Sequence, residues 1–541
     1  MTIPTGATPS SLAPTKSARE RLRIDERPHA LHAAFFSFWI GCSILYCSAL
    51  FLSIRGTSLW TDEAFSAWEA SHRTFGGLIH ALFTGDSSDL QVGFYHSYLF
   101  GWVQIVGHSE YALRAANMPF ALIFSLAIVY TSVAILKSRW AWIPAGMLPF
   151  IWQFTSEVRG YMASLAFSAA SVALLISFLR ARNAPEARRR VWLLLGCLLL
   201  GSMFHMLFLL AVPPLLVLTV LLSRRHTGIL WREWRWPAVT FALPFIALAA
   251  FLAWTFTRAS ILYDYPAPGL RQMSSVAYEI AGFGGFGPNR KYSLDFRSHL
   301  VPVAIGGGAL LLGFGFALAG WLRRRRDPLF ASLAAALAVG CVETLALAFG
   351  THKQPDSRHL AALVPFFLFL LMSIMGRCGR TGLVAAALLG CGWLASDIRT
   401  ATITEYQKED FRGAAAAAIE IHNREGADIA IASDPAGAAY YGIRAHGDWP
   451  CIPFDEDCAT AMSGETWKYT ADGEYTARWD RSQADRWLAS RQHAVVAIIP
   501  LDRARTDSVW ISILAQHPEA PRIHLHAFEV VLFRPHKGTE H

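Results

Sequence analysis

Two adjacent carboxylates, Asp62 and Glu63, sit between tryptophans in the stretch SLWTDEAFSAWE at 58–69, a few residues past a long apolar run. A second acidic pair, Asp86 and Asp89, follows in GDSSDLQVGFYH at 85–96. Carboxylates fixed in an ordered loop can take a proton from a hydroxyl during bond formation. Position alone supports a plainer role, because acidic residues in the first turn of a helix complement its dipole by about 0.3–1 kcal/mol. Thr61 is the expected N-cap, which places Asp62 and Glu63 in that first turn. From there Phe65, Trp68, His72, Phe75, Ile79 and Leu82 recur at spacings of three and four. That is the stripe of an amphipathic helix lying along a membrane, with Gly76 and Gly77 as the point where it can bend.

The elements that must position these groups are membrane spans. Of the 541 residues 53% are hydrophobic and only 16% charged, with a mean hydropathy of +0.32, the profile of a polytopic α-helical membrane protein. The net charge of +8 comes in short basic clusters between apolar runs, which fits loops facing an anionic leaflet and argues against nucleic acid as a partner. Residues 1–30 form a polar tail with Lys16, Arg19, Arg21, Arg23 and Arg27 just ahead of the first apolar run. That run, 31–54, is too long for a signal-peptide core and has no clear small-residue cleavage site, so it reads as an uncleaved span with a cytoplasmic N-terminus.

Ten further spans follow, at 111–136, 140–156, 161–179, 191–206, 207–223, 237–257, 300–322, 328–350, 360–376 and 381–397, making about eleven with thirteen as an upper bound. The clusters Lys137/Arg139, Arg180 to Arg190, Arg224 to Arg235, Arg323 to Arg326 and Arg377/Arg380 then share one side, which the positive-inside rule makes cytoplasmic. Reading 191–223 as a hairpin with His205 near its outer turn keeps that agreement. The run 92–107 is too short to span and is expected as a helix in the interface. The transmembrane domain is thus 31–397. Its outer face receives the first loop 55–110, the turn at 155–160, the loop 258–299, residues 350–359 and the region 398–541.

That last region has the composition of a soluble α/β domain. Helices are expected at 411–423, 435–444 and 482–491, and strands at 428–432, 493–500 and 528–533, with no phosphate-binding glycine motif among them. Six of the eight cysteines lie in or beside apolar segments as small buried hydrophobes. Cys451 and Cys458 lie in this polar region, where an extracytoplasmic setting would permit a disulfide.

Several elements in order resemble the GT-C membrane glycosyltransferases, the class of the protein O-mannosyltransferases and lipid A aminoarabinose transferases. They are WTDE at 60–63, DLQVGFY at 89–95, GHSEYALR at 107–114, TSEVRGY at 155–161 and SRHLAALVP at 357–365. Val92-Gly93 stands where the family has Pro-Pro, and His359 where it commonly has Tyr. The resemblance covers roughly residues 30–400. It implies a polyisoprenyl-phosphate-linked sugar as donor and transfer of a hexosyl or pentosyl group to an acceptor hydroxyl of a protein, lipid or polysaccharide. The enzyme would sit in a bacterial inner membrane with its site on the outer face.

Such a reaction needs a base for the acceptor proton and cations for the departing phosphate. Asp62 takes the family's first-loop Asp position as base, Glu63 orients or caps beside it, and Asp89 is the second candidate carboxylate. Arg159, Lys353 and Arg358, expected near membrane level on the outer face, are the phosphate cations, and Tyr161 matches the family's outer turn. Tyr263 and Tyr265, in RASILYDYP at 258–266, could stack on a sugar, and with the glycine-rich AGFGGFG at 281–287 they read as a mobile lid. His352, Asp356 and His359 are equally suited to a divalent metal or to hydrogen-bonding a phosphate, so no cofactor is required and a metal stays open. Two rival readings remain. A transporter or flippase of lipid-linked sugars would place more ionisable residues at mid-span than the few seen, Glu343 among them. A non-catalytic scaffold would have no reason to gather acids and bases at the outer surface.

Overall fold

In the computed structural model the first span ends a long helix, α1 (Ala18–Leu52). The structure describes residues 18–54, 56–84, 90, 92–181, 183–223, 227–258, 269–287, 300–350, 356–403, 409–431, 440–443, 493–501 and 508–534. Among the described residues, the short helices α2 (Thr61–Ala70), α3 (Phe75–Thr84) and α4 (Gly93–Val106) follow α1, and α5 (Glu110–Ala115) opens the next span. The expected stripe from Phe65 to Leu82 is therefore divided, and the division falls ahead of the glycine pair. Thr74 Oγ1 accepts the Gly77 N–H at 3.0 Å, a capping bond that starts a new helix and turns it away from the old one. Helices α2 and α4 are joined by a buried pair, His96 Nδ1 to Glu69 Oε2 at 2.8 Å. Helix α4 has 14 residues, short of the twenty or so needed to span.

Helix α6 (Met118–Tyr130) packs against α1. Here Trp39 Nε1 donates to the Leu126 carbonyl at 2.9 Å, while further along α1 Tyr46 Oη donates to the Gly146 carbonyl at 3.0 Å. Among the described residues nine segments are long and apolar enough to cross a membrane. They match the expected runs except at 140–156 and 191–206. The first of these is broken into α7 (Trp142–Gly146) and α8 (Pro149–Thr155). Leu148 is extended, with φ −64° and ψ 121°, because the ring of Pro149 disfavours helical geometry in the residue before it.

Helix α9 (Tyr161–Leu179) is enclosed on nearly all sides and packs against α6, while α10 (Ala184–Phe204) lies along it. Its first turns carry the arginine cluster, so α10 is less apolar than the segments above. The chain does break where the hairpin was expected, with His205 extended at φ −157° and ψ 117°. A 3-10 turn (Met206–Ala211) leads into α11 (Val212–Ser223). Helix α12 (Thr227–Arg258) packs on α10, and the later helix Pro328–Gly350 on α11, so the two halves of the hairpin have different neighbours.

The turn before α9 presses on this break. A Cβ at Gly160 would stand 2.9 Å from the Phe204 carbonyl oxygen, closer than real contacts allow. Gly160→Ala is expected to cost about 1–3 kcal/mol through the forced backbone shift. It should lower the thermal unfolding temperature in detergent, and an unchanged transition would show that the two segments do not touch.

Beyond α12 come α13 (Leu270–Ile280) and a short turn, α14 (Leu300–Pro302), which continues through a π-helical stretch into α15 (Gly308–Arg324). Then follow α16 (Pro328–Gly350), a 3-10 turn (Ser357–Leu363), α17 (Val364–Arg377) and α18 (Gly379–Thr402). The glycine-rich stretch read as part of a lid is pinned to α18 instead. Trp393 Nε1 donates to the Ala281 carbonyl at 2.8 Å, Arg399 Nε to the Gly285 carbonyl at 2.7 Å, and Ser396 Oγ accepts the Gly285 N–H at 3.0 Å. Its glycines serve close packing, since a Cβ at Gly285 would lie 2.3 Å from the Ser396 carbonyl oxygen.

After the last span, α19 (Phe411–Glu425) and strands β1 (Asp428–Ile431) and β2 (Val495–Pro500) fall where the sequence pattern puts them. Helix α20 (Ser508–Gln516) and strand β3 (Arg522–Leu525) were not expected, while β4 (Phe528–Phe533) was. The sheet order is β1-β2-β4-β3, with β1 parallel to β2 and the other pairs antiparallel. Phe411 of α19 meets Phe528 of β4 with ring centroids 4.5 Å apart. Of the expected helix at 435–444 only 440–443 is described, and the helix at 482–491, Cys451 and Cys458 lie outside the described residues.

Candidate active site

Glu63 is fully buried and organises the start of α2. Its Oε2 accepts the Trp60 N–H at 3.3 Å, so Trp60, not Thr61, occupies the N-cap position. Arg114 of α5 grips the same carboxylate in a bidentate pair, Nε to Oε1 at 3.1 Å and Nη2 to Oε2 at 2.9 Å. The Val158 N–H adds a fourth bond, to Oε1 at 3.0 Å. Arg114 reaches further, to the carbonyls of Thr57 at 2.7 Å and Ser58 at 3.1 Å. One buried ion pair thus ties together the chain entering α2, the start of the next span and the turn before α9. Such a pair is satisfied only with all its hydrogen bonds made, as here.

Asp62, the next residue on the helix, faces elsewhere, because successive helical residues do not share a face. Its carboxylate accepts a hydrogen bond from Arg358 Nη1 and lies 3.8 Å from Arg159 Nη2. Arg358 comes from the 3-10 turn ahead of α17. Its Nε is 3.3 Å from Asp356 Oδ2, and its guanidinium lies over the Trp60 ring at 5.4 Å. Asp62 and Arg358 keep about a quarter of their side-chain surface open, and Arg159 about half as much. Tyr161 stands close enough to interact with Arg358, Arg159 and Asp62, and its ring packs 5.0 Å from that of His205.

His205 and His359 stand near these arginines as neutral rings. His205 Nδ1 accepts the Leu207 N–H at 3.2 Å, and His359 Nδ1 accepts the Asp356 N–H at 3.1 Å. With Nδ1 as acceptor in each, the neutral ring carries its proton on Nε2, a hydrogen-bond donor. Ser357 Oγ donates to Glu279 Oε2, which fastens α13 to the same turn. Two guanidiniums on one partly exposed carboxylate, with two imidazoles nearby, make a place where an anion can replace the carboxylate as the partner of the arginines.

Of the residues singled out from the sequence, Asp62, Arg159, Tyr161 and Arg358 are brought together, although nearly three hundred positions separate the first from the last. Glu63 lies beside them but inside the buried pair. Asp89, Tyr263, Tyr265, His352 and Lys353 lie outside the described residues. Among the described residues no group of three or more His, Cys, Asp or Glu side chains is arranged to hold a metal ion.

His205 stands at a turn, as the sequence suggests, but close to both arginines, and two further contributors are not singled out by the sequence. Glu157 is buried, accepts from Gln153 Nε2 at 3.2 Å, and adds negative charge near Arg358. Asn117, wholly buried, donates to the carbonyls of Phe154 at 3.3 Å and Thr155 at 3.4 Å and also to that of Glu157. An amide at the head of an apolar span was the available signal, since a buried Asn must find partners.

Short helices after α1, a bundle of apolar spans and a small sheet after the last span make up a GT-C fold. A solved structure of ArnT from Cupriavidus metallidurans in the apo state shares it, with a TM-score of 0.50 over 93% of this chain and 98% of that one, at 13% sequence identity. ArnT bound to undecaprenyl phosphate gives a TM-score of 0.49 over 92% and 98%, also at 13% identity. At that identity the likeness is one of fold. No family model matches the sequence, and no curated protein matches it either.

Proposed function

We propose that this chain is an integral-membrane glycosyltransferase that moves a sugar from a polyisoprenyl phosphate to an acceptor hydroxyl at the extracytoplasmic surface. The observation that carries the reading is a partly exposed Asp62 held between Arg358 and Arg159. On donor entry the phosphate takes over the two guanidiniums and releases the Asp62 carboxylate. The acceptor oxygen then bonds to the anomeric carbon while its proton passes to Asp62. The bond from that carbon to the phosphate oxygen breaks, and polyprenyl phosphate leaves with its added negative charge on Arg358 and Arg159.

Glu63 is assigned a positioning part, since its carboxylate is already saturated. Asp89, Tyr263 and Tyr265 are assigned to the sugar, and His352 and Lys353 to the phosphate, from loops of the same face. A cytoplasmic N-terminus and an extracytoplasmic soluble domain belong to the same proposal. Its support is the basic clusters, which fall on the side opposite the site by the positive-inside rule.

The test is release of free polyprenyl phosphate by purified protein in nanodiscs. A panel of polyprenyl-phosphate sugars would be offered with a cell-envelope extract as acceptor source. Arg358→Ala is expected to lower turnover by about 10²–10³-fold, the loss of one preorganised donor to a developing anion. Arg358→Lys should recover only part, because an ammonium keeps the charge but not the fork. Release by wild type that Arg358→Ala leaves untouched would remove the phosphate role.

A further inference from the structure

Among the described residues, the soluble domain meets the site's own scaffold around Arg412 and Tyr441. Arg412, in the first turn of α19, donates from its backbone N–H to Ser58 Oγ at 3.1 Å and from Nη2 to the Gly56 carbonyl at 2.7 Å. The same guanidinium pairs with Glu110, the first residue of α5. Tyr441 joins both partners, its hydroxyl donating to Glu110 Oε1 and accepting the Leu59 N–H at 2.7 Å. Tyr440 Oη donates to the His108 carbonyl at 2.6 Å. Burial and the bond to Glu110 push the Tyr441 phenol up to about 12, so it remains a hydrogen-bond donor across the working pH range.

The segment 56–60 is therefore clamped on two sides. From within, Arg114 holds the Thr57 and Ser58 carbonyls and Glu63 holds the Trp60 N–H. From without, Arg412 and Tyr441 hold Gly56, Ser58 and Leu59. Trp60 ends this segment, two residues before Asp62, and carries on its ring face the Arg358 guanidinium that bonds the Asp62 carboxylate.

We propose that the soluble domain is a positioning element of the active site, acting through Arg412, Tyr441 and Glu110 on the 56–60 segment and so on the Trp60–Arg358–Asp62 arrangement. The proposal rests on the glycosyl-transfer reading above. None of the three side chains touches substrate. They fix where Asp62 stands, and loosening them lowers the rate of the chemical step without weakening donor binding.

Full-length protein in nanodiscs would be compared with Tyr441→Phe, Arg412→Ala and Arg412→Lys by amide hydrogen exchange over 56–63 and by donor kinetics. Tyr441→Phe and Arg412→Ala are each expected to speed exchange at Leu59 and its neighbours about tenfold, as one net hydrogen bond is lost. Both should reduce kcat with the donor KM unchanged, and Arg412→Lys should restore much of each. Unchanged exchange, or faster exchange with full kcat, would overturn the proposal. A wild type silent with every donor would instead be a failure of the functional reading, recognisable because exchange at Leu59 would still respond to Tyr441→Phe.

Discussion

Asp62→Asn is expected to remove turnover by about 10²–10⁴-fold while the protein stays folded, the range for loss of a positioned general base. The amide is nearly isosteric with the carboxylate, so Trp60, Glu63 and the helix start should be undisturbed. What changes is charge. The arginines lose their resident anion, and an incoming phosphate no longer has to displace it. Binding of undecaprenyl phosphate as a probe should then be retained or tightened even as kcat collapses. That pair of readings separates a base from a structural residue, whose loss would weaken binding and stability together. Full turnover in Asp62→Asn would reduce this carboxylate to a countercharge for Arg358 and move the search for a base to Asp89.

The second large effect concerns folding. Arg114→Met leaves the Glu63 carboxylate buried without its countercharge, at an expected cost of about 3–5 kcal/mol. Glu63 is wholly buried and Arg114 almost so, so water cannot take over the lost bonds without opening the loop. The double variant Arg114→Met with Glu63→Leu should regain most of that stability, since two apolar groups of similar volume can fill the same space. It should not regain activity, because the Val158 N–H, the Trp60 N–H and the Thr57 and Ser58 carbonyls would have lost the groups that align them. Thermal unfolding of the two proteins in one detergent decides the matter. A single variant that melts with wild type would mean the pair is not buried in the working protein.

Much of the fold was legible in the chain because its signals are local. An apolar run of span length between basic clusters needs no partner to be recognised, and the break at His205 followed from charge alone, since one long span would have put two arginine clusters on opposite sides. The same locality explains two corrections. The break before Pro149 and the cap at Thr74 are short-range backbone effects that a search for apolar periodicity passes over. The anchored stretch at 281–287 failed for the opposite reason. Glycines that look like hinges were selected by the indole of Trp393 and the backbone of Ser396, more than a hundred residues away.

The sequence by itself determined that this chain lives in a membrane and that acids and bases gather on one face of it. It also supplied an ordered set of elements resembling the GT-C class, and that fold is the one observed. Only the tertiary structure decided which partners each charged residue meets. Asp62 and Glu63 are neighbours of nearly equal chemistry, yet a turn of about 100° per residue sends one into a closed ion pair with Arg114 and the other toward Arg358 and Arg159. Which face of a short helix meets the bundle depends on partners from distant spans, and no pattern within ten residues carries that information. For the same reason Arg412 and Tyr441 carry no signal as sequence, and only the folded chain brings them against the 56–60 segment.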